Sequence, residues 1–372
     1  MSELATMNTL NFNDTKRRAS GARSYSVKIA PSNGATFNCG GQIQINFPNS
    51  VQGTYADLDS CFIKMKVTNN DAAAASFDGH NGYSLFQNVS VLTAGQTLSQ
   101  LNGYNVLMNA LMDLNTSPEF ASVDHYLSGA HNDGIRYKGA GLTATGGSAP
   151  SREICLPLAL VGIAESSPRR MLPLFSSANI QLRIDLEDAA TAFFSTASGL
   201  VNGDIVCSDV EMVCNFVELD PQVQAMVDGQ VGGIYSLSVA DYTHASATLA
   251  SGVSALTSTL GIARSSLERL IITHRVSANI GNVQQFSLNN RSKADITQLQ
   301  CINNGEMIPA RPIKVSADGS ECFAQMLVGD HALVDKSKQT NFMNYKLGTA
   351  TPPTAGTYNL TMELLQVLVL NL

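Results

Sequence analysis

Leu58–Val67 reads LDSCFIKMKV, and Leu267–Val276 reads LERLIITHRV. Superimposed at an offset of 209 residues, Leu58, Ile63 and Val67 meet Leu267, Ile272 and Val276. Asp59 then meets Glu268, and Lys66 meets Arg275. A second pair follows: Asn88–Leu98 (NVSVLTAGQTL) and Gln298–Ile308 (QLQCINNGEMI). At an offset of 210, Gly95 meets Gly305, while Val89, Leu92 and Leu98 meet Leu299, Ile302 and Ile308. Each copy reads as strand, glycine-containing turn, strand. After each hairpin comes a short apolar run, Val106–Leu114 (VLMNALMDL) and Phe323–Leu333 (FAQMLVGDHAL), predicted as a helix, with Gly329 weakening the second. Each half closes on a long apolar strand, Asp209–Leu219 and Leu360–Leu370. Four elements in one order at nearly constant spacing predict an internal duplication.

Outward from the repeat, the rest of the chain has the same texture. Gln42–Phe47 (QIQINF), Val89–Leu92, Ile180–Leu186 (IQLRIDL) and Val210–Val217 (VEMVCNFV) are further strand signals, several alternating apolar and polar residues with period two. Gly, Asn, Ser and Pro separate them, and Asn202–Asp204 and Asn303–Gly305 read as hairpin turns. Long small-residue stretches at 115–152, 187–204, 241–258 and 345–358 read as loops. Many short strands with few helices predict an all-β chain, here two tandem eight-stranded jelly rolls with a few short helices. At 372 residues the chain exceeds what one core usually supports, which agrees with two domains. The boundary falls at Leu219-Asp220-Pro221, where proline ends a strand. The predicted division is a flexible basic arm at 1–24, a first roll at 25–220 and a second at 221–372. The early strands of the second roll, in the small-residue stretch Leu237–Leu260, are the least defined.

Composition narrows the chemistry. With 44% hydrophobic and only 14% charged residues, the chain is core-rich and far from the disordered class. A net charge of −7 argues against a surface that grips nucleic acid or an anionic membrane throughout. No apolar run approaches the roughly 20 residues a membrane-spanning helix needs, and the first 25 residues lack the apolar centre of a secretory signal. The seven cysteines (Cys39, Cys61, Cys155, Cys207, Cys214, Cys301, Cys322) are odd in number and form no C-x-x-C pair, so they read as reduced, buried small hydrophobes.

Catalytic and metal motifs are missing. The six histidines show no ligand spacing; the nearest cluster, Asp124, His125, His131 and Asp133, lies in a polar stretch and reads as a solvated loop. Gly139–Gly147 (GAGLTATGG) resembles a phosphate loop only in composition and reads as a flexible loop. Asp185, Glu187 and Asp188 read as a strand exit into solvent. The N-x-[ST] sites, including Asn88, Asn115, Asn290 and Asn359, are what an Asn/Ser/Thr-rich chain contains by chance. No catalytic residue, metal ligand or cofactor site is assigned. Lys16, Arg17 and Arg18 in the arm form the one basic cluster suited to non-specific, salt-sensitive phosphate contact, with a solvated terminus or trafficking signal as the equal alternative.

Two similar rolls in tandem, a short polar arm and no active-site motif together resemble the double jelly-roll major capsid proteins, the tectivirus–adenovirus type of coat subunit. The resemblance covers roughly residues 25–372 and is carried by Leu58–Val67 with Leu267–Val276 and by the hairpins around Gly95 and Gly305 with the run after each. Arg169–Leu186 (RRMLPLFSSANIQLRIDL) and Asn303–Ile313 are also reminiscent of it. It implies a homotrimer whose six rolls form a pseudo-hexagonal tile of an icosahedral shell, contacts with neighbouring capsomers and minor capsid proteins, and an arm turned towards genome or internal membrane. The implied location is the virion, with synthesis in the host cytoplasm and assembly there or in the nucleus. Three rivals remain. One is a two-roll glycan or amide hydrolase, which needs carboxylates where the rolls meet. Another is a carbohydrate-binding protein, for which the absence of Trp is unfavourable. The third is a single-roll coat protein with a projecting domain.

Overall fold

The structure, a computed structural model, describes residues 21–49, 53–79, 81–115, 138–158, 171–176, 179–197, 199–232, 234–251, 253, 255–260, 266–288, 296–303, 306–314, 325–333, 343–349 and 358–371. Strands β1 (Ala22–Ile29), β2 (Thr36–Asn38), β3 (Gln42–Asn46), β4 (Thr54–Asn69), β5 (Ala75–Asp78), β6 (Phe86–Thr93) and β7 (Gln96–Asn102) lead to a helix at Tyr104–Asn115. Then come β8 (Lys138–Leu142), β9 (Ser151–Pro157), β10 (Leu172–Pro173), β11 (Ile180–Leu186), the short helix Ala189–Ala192, β12 (Phe193–Ser195) and β13 (Ile205–Leu219). A helix at Pro221–Val231 leads on to β14 (Ser236–Leu249), β15 (Ala255–Leu260), β16 (Ser266–Val276), β17 (Ile296–Asn303), β18 (Glu306–Lys314), β19 (Gln325–Leu333), β20 (Met343–Thr349) and β21 (Tyr358–Asn371).

Period-two alternation decides which face each strand buries. In β11, Ile180, Leu182, Ile184 and Leu186 are buried while the residues between them are half-buried. Its antiparallel neighbours β3 and β6 contribute Ile43, Ile45, Val89 and Val91 to the same face. Opposite lie Ile63, Met65 and Val67 of β4 and Cys207, Met212 and Cys214 of β13, in one continuous core. This is a sandwich, with each strand half apolar because one of its faces meets the other sheet. The long β13 shifts register against β4 between Ser208 and Glu211, where Asp209 takes φ 50°, as expected of a bulge that lets a long strand bend.

The wiring recurs. In the first half one sheet runs β1-β13-β4, with β9 and β10 on the far side of β4, and the other runs β3-β11-β6-β7. In the second half the sheets run β14-β21-β16-β19 and β15-β20-β17-β18. Substituting β14 for β1, β15 for β3, β16 for β4, β17 for β6, β18 for β7, β19 for β9, β20 for β11 and β21 for β13 turns one order into the other. Eight strands in two four-stranded sheets with these crossovers make a jelly roll. The two sequence repeats fall on the matched pairs β4/β16 and β6/β17. Both hairpins are present: Thr93 pairs with Gln96 across Ala94 (φ 47°) and Gly95 (φ 81°), a two-residue turn of positive-φ type, and Asn303 pairs with Glu306.

Several expectations need correction. The run 323–333 is not a helix: Gln325–Leu333 is strand β19, pairing with β16. Gly329 breaks helical propensity at its centre, and the open edge of β16 offers the ladder instead. The helix at Tyr104–Asn115 does form, so the rolls differ after their hairpins. Constant spacing therefore holds only as far as β7 and β18; between β7 and β9 the first roll carries an insertion, and the terminal strands start at Ile205 and Tyr358. The stretches 187–204, 241–258 and 345–358 are not loops throughout, the last beginning inside β20. Ser236–Leu249 pairs along its whole length with β21, and 187–204 holds a helical turn and β12. Small Ser, Thr and Ala residues obscured the strand signal there. Asn202–Asp204 is a 3-10 turn closed by Asp204 Oδ2 accepting the Val201 N–H (2.8 Å), rather than a hairpin. Arg23 belongs to β1, opposite Glu218, and not to a free arm.

Candidate functional site: the junction between the rolls

Among the described residues no strand of the first half pairs with a strand of the second, so other groups hold the rolls together. The segment after β16 provides the main latch. Asp78, at the end of β5 and fully buried, accepts the backbone N–H groups of Ser287 and Leu288 on Oδ2, the latter at 3.1 Å. The Ser195 N–H donates to the Val283 carbonyl (2.8 Å), and Gln284 donates to the Thr196 carbonyl (2.9 Å). Phe194 stacks on Phe286 with centroids 4.5 Å apart and an interplanar angle of 11°. Val283, Tyr242 and Ile271 join the first roll's core cluster. A carboxylate holding two N–H donors in a dry site is among the stronger non-covalent ties in a protein.

The linker helix Pro221–Val231 forms a second tie. Asp220 caps it by accepting the Gln222 N–H (3.1 Å), Pro221 takes the first helical position, and Gly232 closes it at φ 68°. The helix's one buried residue is polar. Gln224 accepts from Tyr55 Oη (2.8 Å) and donates to Asp228 (2.7 Å) and to Tyr235 Oη (2.8 Å). Tyr55, Phe175 and Tyr235 pack edge-to-face around it at 5.4, 5.6 and 6.4 Å.

A third region is charged. Glu187 is buried, accepting from Asn105 (2.8 Å) on Oε2, and from Gln87 (3.3 Å) and the Asp188 N–H (3.1 Å) on Oε1. Burial pushes its carboxyl above the usual carboxylate range, with the Asn105 and Asp188 hydrogen bonds and the Arg275 charge pulling the other way. Arg275 lies on β16, in the second roll. It also acts on His244 of β14, whose imidazole is held below its ordinary value by burial first and by the Arg275 charge second. Here β14 packs along β7. The sequence reading of Glu187 as a solvated strand exit is therefore wrong: it sits inside, near where the rolls meet. Asp185 is satisfied by Gln42, Asn88 and Arg183, and Asp188 by Asn202.

The other candidate residues fall as follows. Lys16, Arg17 and Arg18 lie outside the described residues, as do Asp124, His125, His131 and Asp133. Gly139–Gly147 is not one flexible loop. Gly139–Leu142 lies in β8 beside β5, and the turn beyond it is held by the Ala149 N–H on Thr143 Oγ1 (3.0 Å) and the Thr145 N–H on the Asp71 carbonyl (2.7 Å). Cys39, Cys61, Cys207 and Cys214 are buried free thiols, and Cys155 is free and half-buried. The Cys61 and Cys214 thiols both donate to the Asp57 carbonyl, and the hydrogen-bonding Cys214 side chain beside it, followed by burial, pushes the Cys61 thiol far above its ordinary range. Among the described residues no group of three or more His, Cys, Asp or Glu side chains is placed to hold a metal, and no helix is long and apolar enough to cross a membrane. The latch at Asp78 and Ser287 was missed from sequence. Its one visible signal is an aspartate ending an apolar strand.

No family model and no curated protein matches this chain. Solved structures do. VP54 of PBCV-1, fitted into a reconstruction of the virophage Sputnik, aligns with a TM-score of 0.63 at 11% identity over 96% of each chain. The fold is a double jelly roll. The Faustovirus major capsid protein aligns at TM-score 0.62 and 8% identity over 97% of this chain and 92% of that one. The mavirus major capsid protein aligns at 0.50 and 11% over 93% and 89%. At identities of 8–11% the likeness is one of fold, and in each case it extends over 93% or more of this chain.

Proposed function

We propose that this chain is the major coat subunit of an icosahedral virus shell. The observation that carries the reading is the repeated eight-strand wiring over the full chain, shared with capsid proteins along nearly their whole length. Residues 22–220 and 221–372 serve as two building blocks of like shape, and three chains bring six of them into a pseudo-hexagonal tile. Such a tile offers near-equivalent edges on all sides, and closed rolls limit the strand edges open to aggregation. Its partners are two further copies within the trimer, neighbouring capsomers and minor capsid proteins. Lys16, Arg17 and Arg18 give the arm a weak, salt-sensitive contact with genome or internal membrane. The chain works in the virion, after synthesis in the host cytoplasm and assembly there or in the nucleus. We read it as a structural subunit rather than an enzyme: the buried carboxylates at the junction are engaged in holding the fold, Asp78 by the Ser287 and Leu288 N–H groups and Glu187 by Asn105, Gln87 and the Asp188 backbone.

Protein mass spectrometry of purified particles from cells expressing the source genome tests this. The chain should dominate the particle by copy number. Its absence from particles, or a monomer that cleaves glycans or amides, would refute the coat reading.

A further inference from the structure

Strand β16 is buried on both faces. Ile272 (1% exposed), matched to Ile63 of the first core, faces its own roll, and its neighbours Ile271 (0%) and Thr273 (1%) face the other way. Ile271 and Tyr242 join the first roll's core cluster, Arg275 acts on Glu187, and the edge strand β14 packs along β7. The outward face of the sheet β14-β21-β16-β19 is thus covered by the first roll.

The same face of the first roll is open. At the offset of 209 residues, Phe62, Lys64 and Lys66 match Ile271, Thr273 and Arg275. The ladders agree. Lys28, Val213, Phe62 and Pro157 form one row across β1, β13, β4 and β9, as positions 244, 363, 271 and 326 do across β14, β21, β16 and β19. In the first row Val213 and Phe62 are half-buried and Pro157 is exposed. Two ion pairs flank them, Lys28–Glu211 (3.1 Å) and Lys64–Glu153 (3.4 Å), with the lysine side chains 67% and 38% exposed. An apolar centre inside a charged rim is the anatomy of a protein interface. Beside it β1 ends its sheet, at the position where β14 of the second roll meets β7.

What covers such a face is visible inside the chain: the β7 side of a roll. The strand matched to β7 in the second roll is β18, which also ends its sheet. One chain therefore uses the β7 side of its first roll and the β14 face of its second, and leaves a β1 face and a β18 side over. A head-to-tail contact of this kind, repeated, either closes into a ring or runs on as a filament. Three chains of two rolls close a ring of six in which every roll makes the same two contacts. We infer that the Lys28–Val213–Phe62–Pro157 face of one chain receives the β17–β18 edge of a second copy, repeating between chains the contact that β14 and β7 make within one. This rests on the coat reading and assigns the residues of its trimer contact, which that reading leaves open.

The test is photo-cross-linking of the full chain carrying Phe62→p-benzoylphenylalanine, with the products mapped by mass spectrometry. A mixture of isotope-labelled and unlabelled chains tells links between copies from links within one. Links from position 62 to β17 or β18 of another copy are expected. Trimers that give no link, links within one chain only, or links elsewhere on the second copy overturn the inference and leave the coat reading standing. A chain that is monomeric at every concentration overturns both. In a second measurement, Phe62→Ser should raise the concentration at which the trimer dissociates by at least about tenfold in sedimentation velocity, with the circular dichroism spectrum of the folded chain retained. An unchanged dissociation concentration would also overturn it.

Discussion

The two rolls share one wiring diagram but not one inventory. The second is spare: its described strands are the eight of the two sheets. The first adds β2 along β13, β10 along β4, the small sheet β12-β5-β8 and the helix Tyr104–Asn115. Several of these additions face the second roll. Asp78 ends β5, Phe194 and Ser195 lie in β12, and Asn105 on the added helix holds Glu187. The difference teaches that the repeated wiring gives each half its shape, while the elements added to the first roll supply much of what holds the two together. Within the first roll, Gly79 shows how closely the added helix packs on the end of β5: it sits at φ 111°, and a Cβ there would come within 2.3 Å of Asn109 Oδ1.

The comparison can be sharpened at matched core positions. Ile63 and Ile272 are offset by 209 residues and exposed by 0% and 1%. Truncating either to Ala should cost about 4 kcal/mol. In urea unfolding followed by calorimetry and hydrogen exchange, Ile63→Ala should weaken protection most in the first roll and Ile272→Ala most in the second. Uniform loss across both from either change would mean that they do not behave as separate blocks.

Unlatching them comes next in size. Asp78→Ala removes a buried acceptor and strands the Ser287 and Leu288 N–H groups, at a cost of about 3 kcal/mol. Because the latch is between rolls, one unfolding transition should split into two. A single transition shifted by under about 0.5 kcal/mol would show that the latch is decorative.

The junction's titration separates its two sides. Glu187 has a folded pKa above its unfolded value, so the native state binds more protons and stability falls as pH rises from the ordinary Glu range, near 4.5, through the raised value. His244 has a folded pKa below its ordinary 6.5, so the unfolded state binds more protons; its contribution is present above 6.5 and is lost as pH falls through that window. Glu187→Gln should therefore remove the first slope, and His244→Gln the second, in melting temperature measured from pH 4 to 8. Unchanged slopes in both variants would place the pH dependence elsewhere.

The smallest effect belongs to the surface. Arg23 and Glu218 form an ion pair at 2.6 Å, with side chains 74% and 40% exposed. Glu218→Gln should change stability by less than about 0.5 kcal/mol. A larger loss would make the β1–β13 edge more important than its exposure suggests.

Much of the fold was legible because strands with one buried face alternate visibly, and because duplicated strands repeat that alternation in order. IQLRIDL and the LDSCFIKMKV/LERLIITHRV pair carry it directly. Ser236–Leu249 was obscured because its Ser, Thr and Ala residues carry little hydrophobic contrast, so only pairing with β21 reveals a strand. Gln325–Leu333 was misread because an eleven-residue apolar run fits either period, and the partner strand that decides it, β16, lies far away in sequence, its Ile272 pairing with Gln325 and its Ser266 with Leu333. The junction was less legible still. Asp78 finds Ser287, and Arg275 acts on Glu187, through tertiary contacts that leave no local pattern in the chain.

If the chain is the proposed coat subunit, its two rolls serve as similar corners of a trimeric tile. Cryo-electron microscopy of assembled particles addresses it directly. The account predicts capsomers built from three chains, showing six similar lobes with strands upright to the shell. Capsomers with one lobe per chain, or a chain that stays monomeric and outside the shell, would contradict it.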